Sequence, residues 1–174
     1  MALVEGSTED LTQIAKAAHA WHEGAPLSDI RRSAPFVQLT GRFEVPDHDP
    51  VRLTESEWQH LRTEASTQER PAYAALVEAA YAEPALRALY PFTSHWALRF
   101  STTTRPYLSI VGPCLLADDI EQYTVSRGIT GSGLIALAAT AQEAAAAAVR
   151  ELPSSLGPVT SGAVVPENSR ERWS

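Results

Sequence analysis

The hydrophobic pattern of the chain changes from a helical to an alternating period at Pro91, and this change constrains the fold more than any other feature. Before Pro91, apolar residues recur every three or four positions, as in amphipathic helices, and after it they alternate with polar residues, as in strands. The links between the alternating segments are short, which favours antiparallel neighbours over parallel strands joined by helices. The sequence therefore predicts an α+β fold with helices first and a sheet second.

Three helices are marked by capping boxes, in which a serine or threonine precedes an acidic residue by three positions. The first two helices carry Trp21 and Trp58 on their apolar faces, so both tryptophans are predicted to lie in the core. A further helix is expected to start at Pro71, because proline fits the first turn, and to break or restart at Pro84. The capping pairs are Ser7 with Asp10, Thr54 with Glu57, and Thr140 with Glu143.

The alternating part of the chain predicts a roughly four-stranded antiparallel meander. A helix running from Thr140 to about Arg150 follows it and is rich in alanine, which allows close packing on a sheet. A chain of 174 residues fits one domain, so residues 1–174 are predicted to form one, with 1–9 and 163–174 as frayed tails. The predicted strands cover residues 95–101, 107–111, 122–126 and 133–138.

The charge balance limits the partners that the chain is expected to bind. It has 14 basic and 21 acidic residues, a formal net charge of −7, and no block of like charge. Nucleic acids and anionic membranes both require a concentrated basic surface, so neither is predicted as a partner. The N-terminus lacks the basic start and the apolar stretch of a signal peptide, which predicts a cytoplasmic protein.

The first predicted strand carries the main candidate site. Alternation places Trp96, Leu98 and Phe100 on the core face, and His95 and Arg99 on the opposite face. A histidine exchanges protons near neutral pH, and an arginine binds carboxylates or phosphates. The pair is therefore a candidate proton-transfer group beside an anion-binding group. The alternative is a solvated sheet face, or an arginine tied to a structural carboxylate.

The remaining candidate residues lie close to this pair in the predicted sheet. Ser94, Ser101 and Tyr107 complete the predicted ligand-binding set. Cys114, the only cysteine, has apolar neighbours that predict an inert core thiol; the alternative is a nucleophile paired with His95. The histidines and carboxylates lack metal-ligand spacing, and the glycines match no nucleotide-binding loop, so neither a metal nor a cofactor is predicted.

Several segments match the sequence of a known family, and the most specific are YPFTSH at 90–95 and LRFS at 98–101, with a shorter match, VGPC, at 111–114. The chain thereby resembles an actinobacterial family whose members are labelled only as natural-product biosynthesis proteins of unknown function. The resemblance covers most of residues 10–162 and departs at Trp96, where a smaller residue such as glycine is expected. It implies a role in bacterial secondary metabolism and supplies no catalytic residues.

Two functional hypotheses follow. The first is a small cofactor-independent enzyme that acts on a biosynthetic intermediate by proton transfer or cyclisation, with Arg99 as the anchor and His95 as the proton carrier. The second is a non-catalytic module that binds a small-molecule intermediate, a peptide or a partner protein. A closed pocket around both residues would favour the enzyme, and an exposed polar face would favour the module. The sequence leaves open whether the chain is an enzyme and what its oligomeric state is.

Overall fold

A computed structural model describes residues 2–118, 122–128 and 133–162. The chain divides into two compact units, residues Met1–Glu44 and Val45–Ser174. Helices and an antiparallel sheet are both present, which confirms the predicted α+β class. The single domain stays a prediction, and the tail predicted at 163–174 lies outside the described residues. Within the described ranges, no helix is long and apolar enough to cross a bilayer.

The first unit contains two helices and a two-stranded antiparallel sheet. In chain order, its elements are β1 (Val4–Glu5), α1 (Leu11–His22), α2 (Leu27–Ser33) and β2 (Gln38–Leu39). Asp10 caps α1, since its carboxylate accepts a hydrogen bond of 2.8 Å from the backbone N–H of Thr12. The predicted cap at Ser7 is therefore wrong, because a capping side chain has to lie directly before the first helical residue.

The second unit begins with three helices, α3 (Pro50–Thr67), α4 (Pro71–Ala82) and α5 (Pro84–Arg87). The predicted starts at Pro71 and Pro84 are confirmed. Trp58 of α3 is buried as predicted, and its indole N–H donates to the carbonyl oxygens of Arg87 and Leu89 at 3.1 and 3.2 Å. This shared donor ties α3 to the chain just before the sheet.

Helix α3 begins earlier than the capping box of Thr54 and Glu57 predicts. The carboxylate of Asp49 accepts a hydrogen bond of 2.9 Å from the backbone N–H of Arg52. Thr54 lies inside the helix, where its hydroxyl donates to the carbonyl oxygen of Pro50 at 2.8 Å. The prediction is wrong because Asp49 and Pro50 together make a stronger start signal than Thr54.

Five strands form the main sheet, one more than predicted, and they are antiparallel neighbours in chain order. The sheet is followed by α6 (Ala141–Arg150), which begins with both hydrogen bonds of the predicted capping box between Thr140 and Glu143. The strands are β3 (Tyr90–Ser94), β4 (Ala97–Ser101), β5 (Ile110–Ala117), β6 (Tyr123–Ser126) and β7 (Leu134–Ala138).

Two prolines lie within strands, at positions where the sequence pattern does not predict a strand. Pro91 lies in β3, which is an edge strand, and an edge strand tolerates the missing N–H of proline. Gly112 and Pro113 lie within β5, where its register with β4 is irregular. From one paired position to the next, the chain advances two residues in β4 and four residues in β5. Gly112 has a φ of 69°, which glycine adopts without strain. The predicted strand 107–111 is therefore displaced to 110–117.

Helices α3, α4 and α6 cover one face of the sheet. Leu98 and Phe100 of β4 are completely buried against these helices, which confirms their predicted place in the core. On the opposite face, a smaller cluster joins Tyr90 and Phe92 of β3 to Val159. The segment that carries Val159 runs beside the chain that follows β4, through a parallel bridge between residues 103 and 160.

Candidate functional site

A two-residue turn, His95–Trp96, joins β3 and β4. Ser94 pairs with Ala97 in the strand ladder, so only these two residues make the connection. Both have positive φ, 53° for His95 and 66° for Trp96. Asparagine and glycine normally occupy such positions, because bulky side chains are strained in the left-handed region. The turn therefore holds Trp96 in a conformation that its bulky side chain disfavours, whereas histidine tolerates positive φ better.

Side chains at the start of α4 hold Trp96 in place. Its indole meets the ring of Tyr73 edge-on, with centroids 5.6 Å apart and an interplanar angle of 83°. The guanidinium of Arg70 lies 4.9 Å from the indole centroid. Trp96 is nevertheless 43% exposed. Its predicted place in the core is wrong, because the turn interrupts the alternation on which that prediction rested.

His95 is exposed at the tip of the hairpin. The hydroxyl of Ser94 lies 3.2 Å from Nδ1 of its imidazole, which is within hydrogen-bond distance. Ser94 is therefore the member of the predicted ligand-binding set that adjoins the histidine. The contact orients the ring at Nδ1 and leaves Nε2 as the nitrogen that can meet a ligand.

The alternation predicts that Arg99 and His95 share a strand face. They do not, because His95 lies in the turn. Arg99 pairs with Phe92 across the ladder, and its guanidinium lies 5.7 Å from the Phe92 ring centroid. Arg99 lies four positions after His95 and is the third residue of β4. Their predicted roles as ligand anchor and proton carrier stay predictions.

Cys114 is buried in β5 near Arg99. Burial raises the pKa of its thiol, and the positive charge of Arg99 lowers that pKa to a smaller degree. The ladder pairs Leu115 with Leu98, so Cys114 lies beside the middle of β4 rather than beside the turn that holds His95. The structure does not bring the two residues together, and a buried thiol with a raised pKa is a poor nucleophile.

Ser101 and Tyr107 lie at and beyond the other end of β4. The hydroxyl of Ser101 is buried and donates to the carbonyl oxygen of Thr103 at 2.7 Å. Tyr107 is exposed in the chain that follows β4. Neither residue adjoins His95, since β4 separates them from the turn.

A cavity of about 290 Å³ lies between the start of α4 and the end of β5. Arg70 and Tyr73 line it and also contact Trp96, so the cavity and the turn share two residues. Burial raises the pKa of Tyr73 to about 12, which keeps its hydroxyl neutral at physiological pH. We call five residues together the turn site: Arg70, Tyr73, Ser94, His95 and Trp96.

The turn site combines an exposed indole, a guanidinium, an imidazole and a neutral phenol. Such groups bind ligands by stacking, by cation–π contact and by hydrogen bonding. Among the residues that the structure describes, no group of three His, Cys, Asp or Glu side chains could hold a metal ion. The sequence pattern does not identify Arg70 and Tyr73, because they come from a helix and no motif links them to the turn.

A family of unknown function, DUF6193, matches residues 52–163. No curated protein and no solved structure matches the sequence. The matched segment covers more than half of the chain and contains all five residues of the turn site. The chain therefore belongs to the DUF6193 family of unknown function.

Proposed function

We propose that this protein is a non-catalytic binding module, which holds a small-molecule or peptide intermediate at the turn site in a bacterial natural-product pathway. The observation that carries the proposal is the conformation of Trp96, a bulky residue at a φ of 66° that is 43% exposed. The assignment to a natural-product pathway rests on the resemblance of residues 90–101 to actinobacterial biosynthesis proteins.

The energetics of the turn support a role for Trp96 beyond folding. A residue held in an unfavourable backbone region costs about 1–3 kcal/mol. The edge-on contact with Tyr73 contributes about 0.5–1.5 kcal/mol, and the contact with Arg70 about 0.5–1 kcal/mol. These ring contacts are similar in size to the strain, and burial of the rest of the indole adds to them. Trp96 is nevertheless 43% exposed, and this exposed surface adds nothing to folding but can contact a ligand.

The chemistry of the site indicates the kind of ligand. An exposed indole packs against a planar or apolar group, and an arginine or histidine donates hydrogen bonds to carboxylates and carbonyl oxygens. Tryptophan and arginine are also the residues that most often dominate binding energy at interfaces. The expected ligand carries a planar or apolar group next to a hydrogen-bond acceptor, as many peptide-derived and aromatic intermediates do.

The enzyme hypothesis is the second candidate. It is favoured by the 3.2 Å contact between the Ser94 hydroxyl and Nδ1 of His95, since a general acid or base has to be oriented by such a partner. Against it, His95 is exposed, and Arg99 packs over Phe92 on the strand. Neither side chain lines any of the three cavities described for this chain.

The experiment is affinity capture from a metabolite extract of the organism that carries the gene. Immobilised wild-type protein is compared with Trp96→Gly, which removes the indole and suits the positive φ, and bound molecules are identified by mass spectrometry. We expect at least one molecule to be retained by the wild type and lost from Trp96→Gly by about tenfold or more. Leu137→Ala is the control, since Leu137 is an exposed apolar residue on β7, at the other edge of the sheet.

Two outcomes would contradict the binding module. If Trp96→Gly and Leu137→Ala retain the same molecules as the wild type, the turn site is not the binding site. If the wild type changes the mass of a captured molecule, and His95→Ala binds that molecule without changing it, the protein is an enzyme.

A further inference from the structure

A second cavity, of about 440 Å³, lies within the first unit. Its walls come from β1, α1, α2 and the segment after α2, and they are mostly apolar. The largest side chains among them belong to Ile14, Trp21, Ile30 and Phe36. Ser7 and Thr8 supply the polar side chains. A concave site with apolar walls and a few polar groups is the usual form of a small-molecule site.

Helix α1 shows that this cavity lacks packing partners among the described residues of the first unit. The helix is amphipathic, yet none of its residues is buried. Ile14 is 43% exposed and Trp21 is 48% exposed, and both line the cavity. The predicted place of Trp21 in the core is therefore wrong, since α1 contacts the unit's buried cluster through the small residues Ala17 and Ala20. Protein interiors are normally close-packed, so these large side chains border space that a ligand can fill.

The lining determines the charge of the ligand. None of the residues that line the cavity is charged, in a protein whose formal net charge is −7. An ionised group placed among apolar walls without a partner is strongly disfavoured. The hydroxyl of Thr8 already accepts a hydrogen bond of 3.1 Å from the backbone N–H of Asp10. The exposed hydroxyl of Ser7 is the group that can meet a neutral polar end of a ligand.

We propose that this cavity binds a neutral apolar small molecule, such as a medium-length alkyl chain with a hydroxyl end. Ligand pockets have volumes of about 300–1,000 Å³, and this cavity corresponds to roughly ten to fifteen non-hydrogen atoms. The site lies in residues 1–44 and the turn site in residues 45–174, so the proposal does not depend on the function proposed for the turn site.

The test uses the full chain and the neutral fluorescent probe N-phenyl-1-naphthylamine. Probe binding is followed by its fluorescence, and 1-decanol and decanoate then compete for the site. We expect saturable binding, displacement by 1-decanol, and displacement by decanoate that is weaker by about tenfold or more, because only decanoate brings a charge into the uncharged lining. Decanoate that competes as well as decanol would overturn the proposal, as would the absence of saturable probe binding.

A matched pair of variants locates the probe. Ala18 lines the cavity, whereas Ala15 is exposed on the same helix outside it. Ala18→Trp should weaken probe binding by about tenfold, and Ala15→Trp should change it less than about twofold. Equal effects of the two variants would overturn the proposal. If Ala18→Trp does not fold, Ile14→Gln at a half-exposed helical position replaces it, with the same expected loss.

Two further measurements separate the remaining explanations. Light scattering determines whether a second copy of the chain covers the cavity: a dimer that Ala18→Trp dissociates and Ala15→Trp preserves would overturn the proposal. The Trp96→Gly variant should bind the probe like the wild type. A loss of probe binding in Trp96→Gly would place the probe at the turn site and would also overturn the proposal.

Discussion

The guanidinium of Arg70 lies 4.9 Å from the centre of the Trp96 indole, so the residue that precedes α4 contacts the turn between β3 and β4. Tyr73 meets the same indole from within the first turn of α4. Tyr73 is itself part of the buried core, so both contacts connect the hairpin tip to a rigid element. The indole is therefore held in one orientation before any ligand arrives, which reduces the entropy lost on binding.

The strain at the turn gives the first prediction. The double variant His95→Asn, Trp96→Gly has the Asn-Gly sequence that this turn prefers. We expect its free energy of unfolding to stay within about 1 kcal/mol of that of the wild type, because relief of strain roughly offsets the lost indole contacts. Denaturant unfolding measures this, and the same variant should lose the ligands captured at the turn site.

A β-branched residue at position 96 provides the control for that prediction. Trp96→Val removes the indole as well, but valine is strongly disfavoured at positive φ, so we expect a loss of about 1–2 kcal/mol relative to the wild type. If the glycine and valine variants unfold at the same denaturant concentration, the turn is not strained.

The core face of β4 gives the second prediction. Phe100 is completely buried and packs near Trp58, with ring centroids 6.3 Å apart. Phe100→Ala should lower the free energy of unfolding by about 3–5 kcal/mol, because it leaves a large cavity between the sheet and α3. Leu137→Ala, at an exposed position, should change it by less than about 0.5 kcal/mol. A loss below about 1 kcal/mol in Phe100→Ala would show that the face assignment is wrong.

A close approach of two backbone segments gives the third prediction. Gly162 donates its N–H to the Thr104 hydroxyl at 3.2 Å, and a Cβ at this position would collide with the carbonyl oxygens of Thr104 and Tyr107. Gly162→Ala should therefore lower the free energy of unfolding by about 2–3 kcal/mol. Gly157→Ala is the matched control, since nothing lies within 4 Å of the added methyl group. Equal effects of the two substitutions would contradict the close approach.

The thiol of Cys114 gives the fourth prediction, on pH dependence. Burial raises its pKa in the folded protein, so the unfolded thiol ionises first as the pH rises. The unfolded state then binds fewer protons than the folded state, and stability falls as the pH rises above about 8.5. Cys114→Ala should abolish this part of the alkaline loss. The thiol reagent 5,5′-dithiobis(2-nitrobenzoate) should also react far more slowly with Cys114 in the native protein than in denaturant. Equal rates would contradict the burial of the thiol.

The sequence predicts the helical half of the fold and the antiparallel sheet, because both depend on the period of the apolar residues. It fails for β3, since Pro91 argues against a strand unless the strand lies at an edge. It also misplaces β5, since Gly112 and Pro113 are typical of a loop, and here they form an irregularity within a strand. Position in the sheet, which decides both cases, is not encoded in local pattern.

The candidate site is predicted only in part. Residues 94–96 are singled out by the sequence, but reading 95–101 as one strand places Trp96 in the core and His95 beside Arg99. A two-residue turn at positive φ overturns both placements, and its usual signal, asparagine followed by glycine, is absent. Arg70 and Tyr73 become visible only when α4 packs on the sheet, which is a tertiary property.

The parallel bridge between Thr103 and Thr160 also has a consequence for how the protein forms. The backbone N–H of Thr104 donates to the carbonyl oxygen of Thr160, and the N–H of Thr160 donates to that of Thr102, both at 3.0 Å. These bonds join segments that are more than fifty residues apart in the chain. During synthesis, β3 and β4 leave the ribosome long before Val159 can cover Tyr90 and Phe92. One apolar face of the nascent hairpin therefore stays open until residues 159–162 emerge, and transiently exposed apolar surface of this kind favours aggregation.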